Sequence, residues 1–130
     1  MKKYFFLLIS FIALATACTK HKDDVENTSP KADIRFESPT QGAFYNSGDS
    51  VQIKGTASYT ATIHGYDVII RKANDTATLF FKHFHDHKAS LAIDTKWKAS
   101  VSHANLQAEV VLYLDHDGNT GSRKVGFSVR

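Results

Sequence analysis

The residues in this chain best equipped for chemistry are its histidines, seven in 130 residues. Three of them, His83, His85 and His87, alternate within Lys82-His83-Phe84-His85-Asp86-His87, directly after the apolar Leu79-Phe80-Phe81. Alternate residues of an extended strand project to one face and lie roughly 6.5 to 7 Å apart at Cα, so two such imidazoles can share one ion and three on a straight strand cannot. Further ligands would come from other segments, and His64 and His116 are the candidates, with Asp86, Asp115 and Asp117 close in sequence. Imidazoles with a few carboxylates suit Zn²⁺ or Cu²⁺ and not the all-oxygen preference of Mg²⁺. The plainer alternative is a set of solvated loop histidines, a polar patch that titrates near pH 6.5.

Other chemistry finds less support. The chain has no His-Glu-x-x-His, no Gly-x-Ser-x-Gly and no Gly-rich phosphate loop, so the expectation is a protein that is not an enzyme. Asp115-His116-Asp117-Gly118-Asn119-Thr120 spaces its oxygens like half of a calcium loop, but Thr120 and Gly126 stand where an EF-hand needs its Gly and its Glu. It reads instead as a chain reversal in which Asp115 caps backbone N–H groups and Gly118 and Asn119 accept positive φ. Trp97, Tyr45, Tyr59 and Tyr66 offer a carbohydrate platform or, for Trp97, a place in the core.

The elements that must position these groups are short strands. Val51, Ile53 and Gly55 alternate with Gln52 and Lys54, and Val125, Phe127 and Val129 alternate with Lys124, Gly126, Ser128 and Arg130, so each run has one buried face. Strands are predicted over 33–37, 50–58, 64–72, 76–83, 90–94, 106–114 and 122–129. No segment reads as a helix beyond a possible turn within 100–109. Seven strands at this spacing predict an all-β antiparallel sandwich.

Two stretches add a resemblance. Ser38-Pro39-Thr40-Gln41-Gly42-Ala43 with Ser47-Gly48-Asp49-Ser50-Val51-Gln52-Ile53-Lys54-Gly55-Thr56-Ala57 resembles the opening of bacterial Ig-like domains. Trp97, Leu106, the Asp115–Thr120 turn and Lys124-Val125-Gly126-Phe127-Ser128-Val129 resemble their end. The likeness spans most of residues 36–129 and implies an Ig-like β-sandwich, although Glu109-Val110-Val111 replaces a frequent Gly-x-Tyr and no inter-sheet cysteine pair exists. In that topology the B–C, D–E and F–G connections gather at one pole. His64, His85, His87 and His116 would then meet there, with His83 at the strand end beside them and Tyr59 and Tyr66 on the rim. His103 would fall at the opposite pole, and His21 lies outside the domain.

The single cysteine, Cys18, follows Lys2, Lys3 and an uncharged run from Tyr4 to Ala17, the layout of a secretory signal too short to span a bilayer. Leu14-Ala15-Thr16-Ala17-Cys18 resembles the lipobox of bacterial lipoproteins. This implies removal of residues 1–17, lipid on Cys18 and membrane attachment through it. Loss of Lys2 and Lys3 takes the 16 Lys and Arg to 14 against 13 Asp and Glu, so the pI near 9.0 is no sign of a nucleic-acid partner. Residues 18–32 read as the lipidated cysteine and a flexible polar tether. Lys22-Asp23-Asp24 is either a plain spacer or similar to the acidic tag that sends some lipoproteins to the outer face of the outer membrane. The domain is then 33–130.

Two readings follow. One is a lipid-anchored, non-enzymatic Ig-like binding or accessory lipoprotein of the bacterial outer membrane, surface-exposed if the acidic tag acts, with a protein or carbohydrate partner at the cell surface. The other is a Zn- or Cu-binding lipoprotein that uses His64, His83, His85, His87 and His116.

Overall fold

A computed structural model describes residues 32–130; the expected signal peptide over 1–17, Cys18, His21 and all of the expected tether but Ala32 lie outside the described residues. Eight strands follow in order: β1 (Asp33–Ser38), β2 (Ala43–Tyr45), β3 (Ser50–Ile63), β4 (Tyr66–Lys72), β5 (Thr78–Phe84), β6 (Lys88–Lys98), β7 (Ala104–Tyr113) and β8 (Thr120–Val129). They form a three-stranded sheet, β1-β3-β6, and a five-stranded sheet, β2-β8-β7-β4-β5. All pairings are antiparallel except β2 with β8. This is an Ig-like β-sandwich, as the sequence predicts, with β2 as the strand beyond the expected seven.

The alternating patterns set the two inner faces. Val51, Ile53 and Ala57 of β3 and Leu91, Ile93 and Trp97 of β6 bury one side. Val68 and Ile70 of β4, Leu106, Ala108, Val110 and Leu112 of β7, and Val125, Phe127 and Val129 of β8 bury the other. Removing such side chains from water is worth about 1.5–3 kcal/mol each. Gly55 is buried where β1 pairs with β3, opposite Phe36, and a Cβ there would lie 2.1 Å from the Arg35 carbonyl oxygen. The chain leaves one sheet for the other after β1. There Pro39, which has no N–H for a ladder, precedes Gly42 at φ 79 and then β2.

The strand predicted over 76–83 is β5, Thr78–Phe84, and it pairs with β4 at the edge of the five-stranded sheet. The reason is local: a turn in which Asn74 takes φ 63 and Asp75 caps the Ala77 N–H at 2.9 Å folds β4 directly into a hairpin. Trp97 lies within β6 instead of after it, buried and edge-on to Phe127 at 6.4 Å. Residues 100–109 form no helical turn; His103 at φ 51 reverses the chain and β7 begins at Ala104.

As the edge strand of its sheet, β5 protects itself from further pairing. Lys82, opposite Val68 in the register, lies over the Phe84 ring with Nζ 4.9 Å from its centroid. An inward-pointing charge on an edge strand discourages another strand from adding there.

Candidate functional site

The hairpin returns β5 to the end of the sandwich where β3 meets β4 and β7 meets β8, so the three expected connections do gather at one pole. His64 stands between β3 and β4. Its N–H donates to the Tyr113 carbonyl at 2.7 Å, and the Tyr113 N–H donates to the Gly65 carbonyl at 2.9 Å. These bonds continue the β4–β7 ladder beyond the start of β4 and fix the backbone of His64. Gly65 takes φ 138, and a Cβ there would lie 2.8 Å from the Phe84 carbonyl oxygen, so only glycine lets the β3–β4 connection pass the end of β5.

His116 belongs to the β7–β8 connection, which behaves as the turn expected from sequence. Asp115 Oδ1 accepts from the N–H groups of Asp117 at 2.9 Å and Asn119 at 3.0 Å, and its Oδ2 accepts from the Asn119 side chain. Those bonds hold the carboxyl of Asp115 below the usual carboxylate value, the Asn119 side-chain bond first. Both oxygens are occupied in bracing the loop, which favours the turn over the calcium reading.

His85 and His87 occupy the β5–β6 connection. The alternation expected on one straight strand stops at Phe84, where β5 ends. The chain then turns and brings the two rings closer than a strand would, with centroids 4.6 Å apart and Nε2 atoms 2.9 Å apart. The His64 ring lies 5.3 Å from that of His87 and 4.2 Å from that of His116. His83, still on β5, is 6.5 Å from His85 between ring centroids. An open cleft of about 340 Å³ is lined by His64, His83, His85, His87, Tyr113, Asp115, His116 and Gly118. His64, His85, His87 and His116, from three connections, and His83, from β5, therefore line one cleft. His103 stands at the other pole.

His64 is the most constrained of them. Its Nδ1 is buried and has no hydrogen-bond partner in the protein. Burial, then the neighbouring His116 and His87, push its pKa below the usual 6.5. Charging it would bring a cation beside other imidazoles, which favours the neutral ring.

Two residues of the site escaped sequence analysis. Asp67 is only 5 % exposed although it lies on the outer face of the five-stranded sheet. His83 Nδ1 is 2.7 Å from Asp67 Oδ1, and the Tyr113 hydroxyl donates to Asp67 Oδ2 at 2.5 Å. The bond to Asp67 also raises the Tyr113 phenol above its usual pKa of 10.0, so it stays a donor. The available signal was a carboxylate at the head of the apolar run Val68-Ile69-Ile70. Conversely Tyr66, expected on the rim, is buried and stacks on Phe84 at 4.6 Å. Its position in β4 points it to the core, opposite in direction to Asp67.

The donor set is of the kind a borderline transition metal takes, and one pair, His85 and His87, lies near the spacing of two ligands. Two imidazoles bound at about 2.0–2.1 Å to a tetrahedral ion have nitrogens about 3.3 Å apart. The 2.9 Å between His85 and His87 is shorter because one ring donates a hydrogen bond to the other. Among the described residues no three His, Cys, Asp or Glu side chains form a finished metal-holding group. His83, His85, His87 and His116 are exposed, so rotation about their χ angles is what an entering ion would require.

Elsewhere the surface is self-satisfied. A second cleft, of about 300 Å³, contains Arg71, Glu109 and Lys124, and there Glu109 accepts from Arg71 at 2.9 Å with Lys124 at 3.9 Å. Among the described residues the exposed large hydrophobics are Phe44 and Phe81. They sit on β2 and β5, the opposite edges of the five-stranded sheet, and Arg130 covers Phe44 at 4.3 Å.

No protein-family model matches the chain, and no curated protein matches it. Among solved structures it is similar to the fibronectin(III)-like modules of Clostridium thermocellum CbhA, with 17 % identity, 75 % of this chain and 94 % of that chain covered, and a TM-score of 0.47. It is similar also to murine CRIg, with 12 % identity, 76 % and 98 % covered, and a TM-score of 0.47. At these values neither likeness adds to what the strand order itself shows.

Proposed function

We propose that the protein is a lipid-anchored, non-enzymatic binding module of the bacterial outer membrane, and that its ligand is a Zn²⁺ or Cu²⁺ ion taken up at the histidine pole. Lipid on Cys18 is read from the lipobox-like residues. Strand β1 starts on the histidine half of the sandwich, with Asp33 opposite Ser58 and Ala32 beside Gly121 at the head of β8. A tether running from Cys18 to Ala32 therefore joins the domain on the side of the proposed site. Its length, up to about 45 Å when extended, lets the cleft turn away from the membrane.

The observation that carries the metal reading is the contact of His64, His85, His87 and His116, four imidazoles brought together from three connections. Packing several groups that repel one another when protonated is unfavourable unless they stay neutral or share a cation. A protein or carbohydrate partner would be favoured by a contiguous apolar patch. Phe44 and Phe81, on opposite sheet edges, do not make one.

Calorimetric titration of the full chain with Zn²⁺ and with Cu²⁺ tests the reading. One ion per chain with micromolar or tighter affinity is expected, and His85→Ala with His87→Ala is expected to weaken it at least about 100-fold, or some 2.7 kcal/mol. Binding that is millimolar, or that survives both substitutions, overturns it.

A further inference from the structure

Resting on that reading of the pole, we infer that Asp67 and Tyr113 are positioning residues that set His83 as one of the imidazoles that share the four positions of the same ion, with its proton on Nδ1 and its lone pair on Nε2. Asp67 lies in β4, and His83 is its direct register partner in β5. Tyr113 ends β7, the neighbour of β4 on the other side, two residues beyond Val111, which is the register partner of Asp67. Residues two apart share a face, so all three side chains rise from the outer face of one sheet. The carboxylate lies between the ring and the phenol and accepts from both, at 2.7 Å and 2.5 Å.

An ionised carboxylate only accepts, so the His83 nitrogen facing it must carry the hydrogen. The other ring nitrogen, Nε2, then has the free pair. A ligating histidine commonly gives its second N–H to a carboxylate, which fixes the ring and raises the basicity of the ligating nitrogen. Asp67 is already placed for this before any ion arrives. Its charge has a second effect. Neutral imidazoles around a divalent cation leave two positive charges at the pole, and a buried carboxylate one ring away offsets one of them.

His83 comes within reach through movement of its neighbour. A ring centroid lies about 3.2 Å from an ion bound through its nitrogen, so two rings on a tetrahedral ion have centroids about 5.2 Å apart. The pairs His64–His116, His85–His87 and His64–His87, at 4.2, 4.6 and 5.3 Å, lie near or below that spacing, and His83–His85, at 6.5 Å, lies beyond it. Rotation of the exposed His85 about its χ angles is what shortens the gap, while His83 is held by Asp67.

Two measurements on the full chain test the assignment. Long-range ¹H–¹⁵N NMR of the metal-free protein reads the imidazole tautomers. His83 is expected with its proton on Nδ1, and in Asp67→Asn, whose amide can donate, with a larger share on Nε2. Zn²⁺ titration is expected to show about a 10- to 100-fold loss of affinity in Asp67→Asn and in the surface substitution His83→Ala, and a smaller loss in Tyr113→Phe. A wild-type His83 carrying its proton on Nε2 overturns the inference whatever the metal does. Unchanged affinity in both Asp67→Asn and His83→Ala overturns it and leaves the four-histidine site standing. A wild-type chain that binds no Zn²⁺ or Cu²⁺ overturns the underlying reading and this inference with it.

Discussion

The two poles of the sandwich spend their polar groups differently. At the pole remote from the cleft, backbone pairs with backbone. Ser47 N–H donates to the Arg130 carbonyl at 2.9 Å, Gly48 N–H to Ala99 at 2.8 Å, Ala99 N–H to Asp49 at 2.8 Å, and Ala73 N–H to Asn105 at 2.8 Å. Side chains assist, with Gln41 Oε1 accepting from Gly126 N–H at 2.9 Å and Asp49 from Asn46 N–H at 2.8 Å. At the histidine pole the backbone bonds of His64 and Tyr113 and the braces of Asp115 fasten the loops, but the imidazoles mostly face one another. One end closes the fold. The other uses the closed fold to hold nitrogen lone pairs together.

If that division is real, damage to one end should leave the other intact. The largest expected effect is on stability alone: Trp97→Ala, which empties the space beside Phe127, should cost about 3–5 kcal/mol. Urea denaturation reads that loss, and metal titration of the still-folded fraction should give an unchanged affinity; a parallel fall would show that the two ends are coupled. Gly65→Ala should disturb both quantities, because it strains the connection that carries His64 against the end of β5. A loss of about 1–3 kcal/mol together with weakened ion binding is expected, and a neutral result would remove Gly65 from the account of the site. The smallest effect is expected at His103. Its φ of 51 is readily adopted by glycine, so His103→Gly should be within about 1 kcal/mol of the parent, with the metal stoichiometry unchanged. A lost equivalent of metal there would place a ligand at the wrong pole.

Much of this arrangement was legible in the residues. Val51 and Ile53, or Val125, Phe127 and Val129, declare their sheets because a strand buried on one face must alternate. The gathering of His64, His85, His87 and His116 followed from strand count and direction. β5, as the second arm of a hairpin with β4, ends at that pole. Asp67 and Tyr66 were harder. They are adjacent residues of one strand with opposite fates, and nothing local says which of the two faces the core when the whole run 66–70 is buried. His85 and His87 were expected in the connection after β5, and they lie there, because the chain must turn after Phe84 to cross to the other sheet.

By itself the sequence determined an all-β Ig-like sandwich and a supply of imidazoles at its connections, because periodicity and turn residues act over a few neighbours at a time. Only the tertiary structure decided which nitrogens meet, that His64 buries its Nδ1 without a partner, and that a carboxylate 16 residues from His83 comes to lie 2.7 Å from its Nδ1. Those facts depend on sheet register, and register is set by the packing of the entire core, where a shift of one residue would turn Asp67 inward and Val68 out.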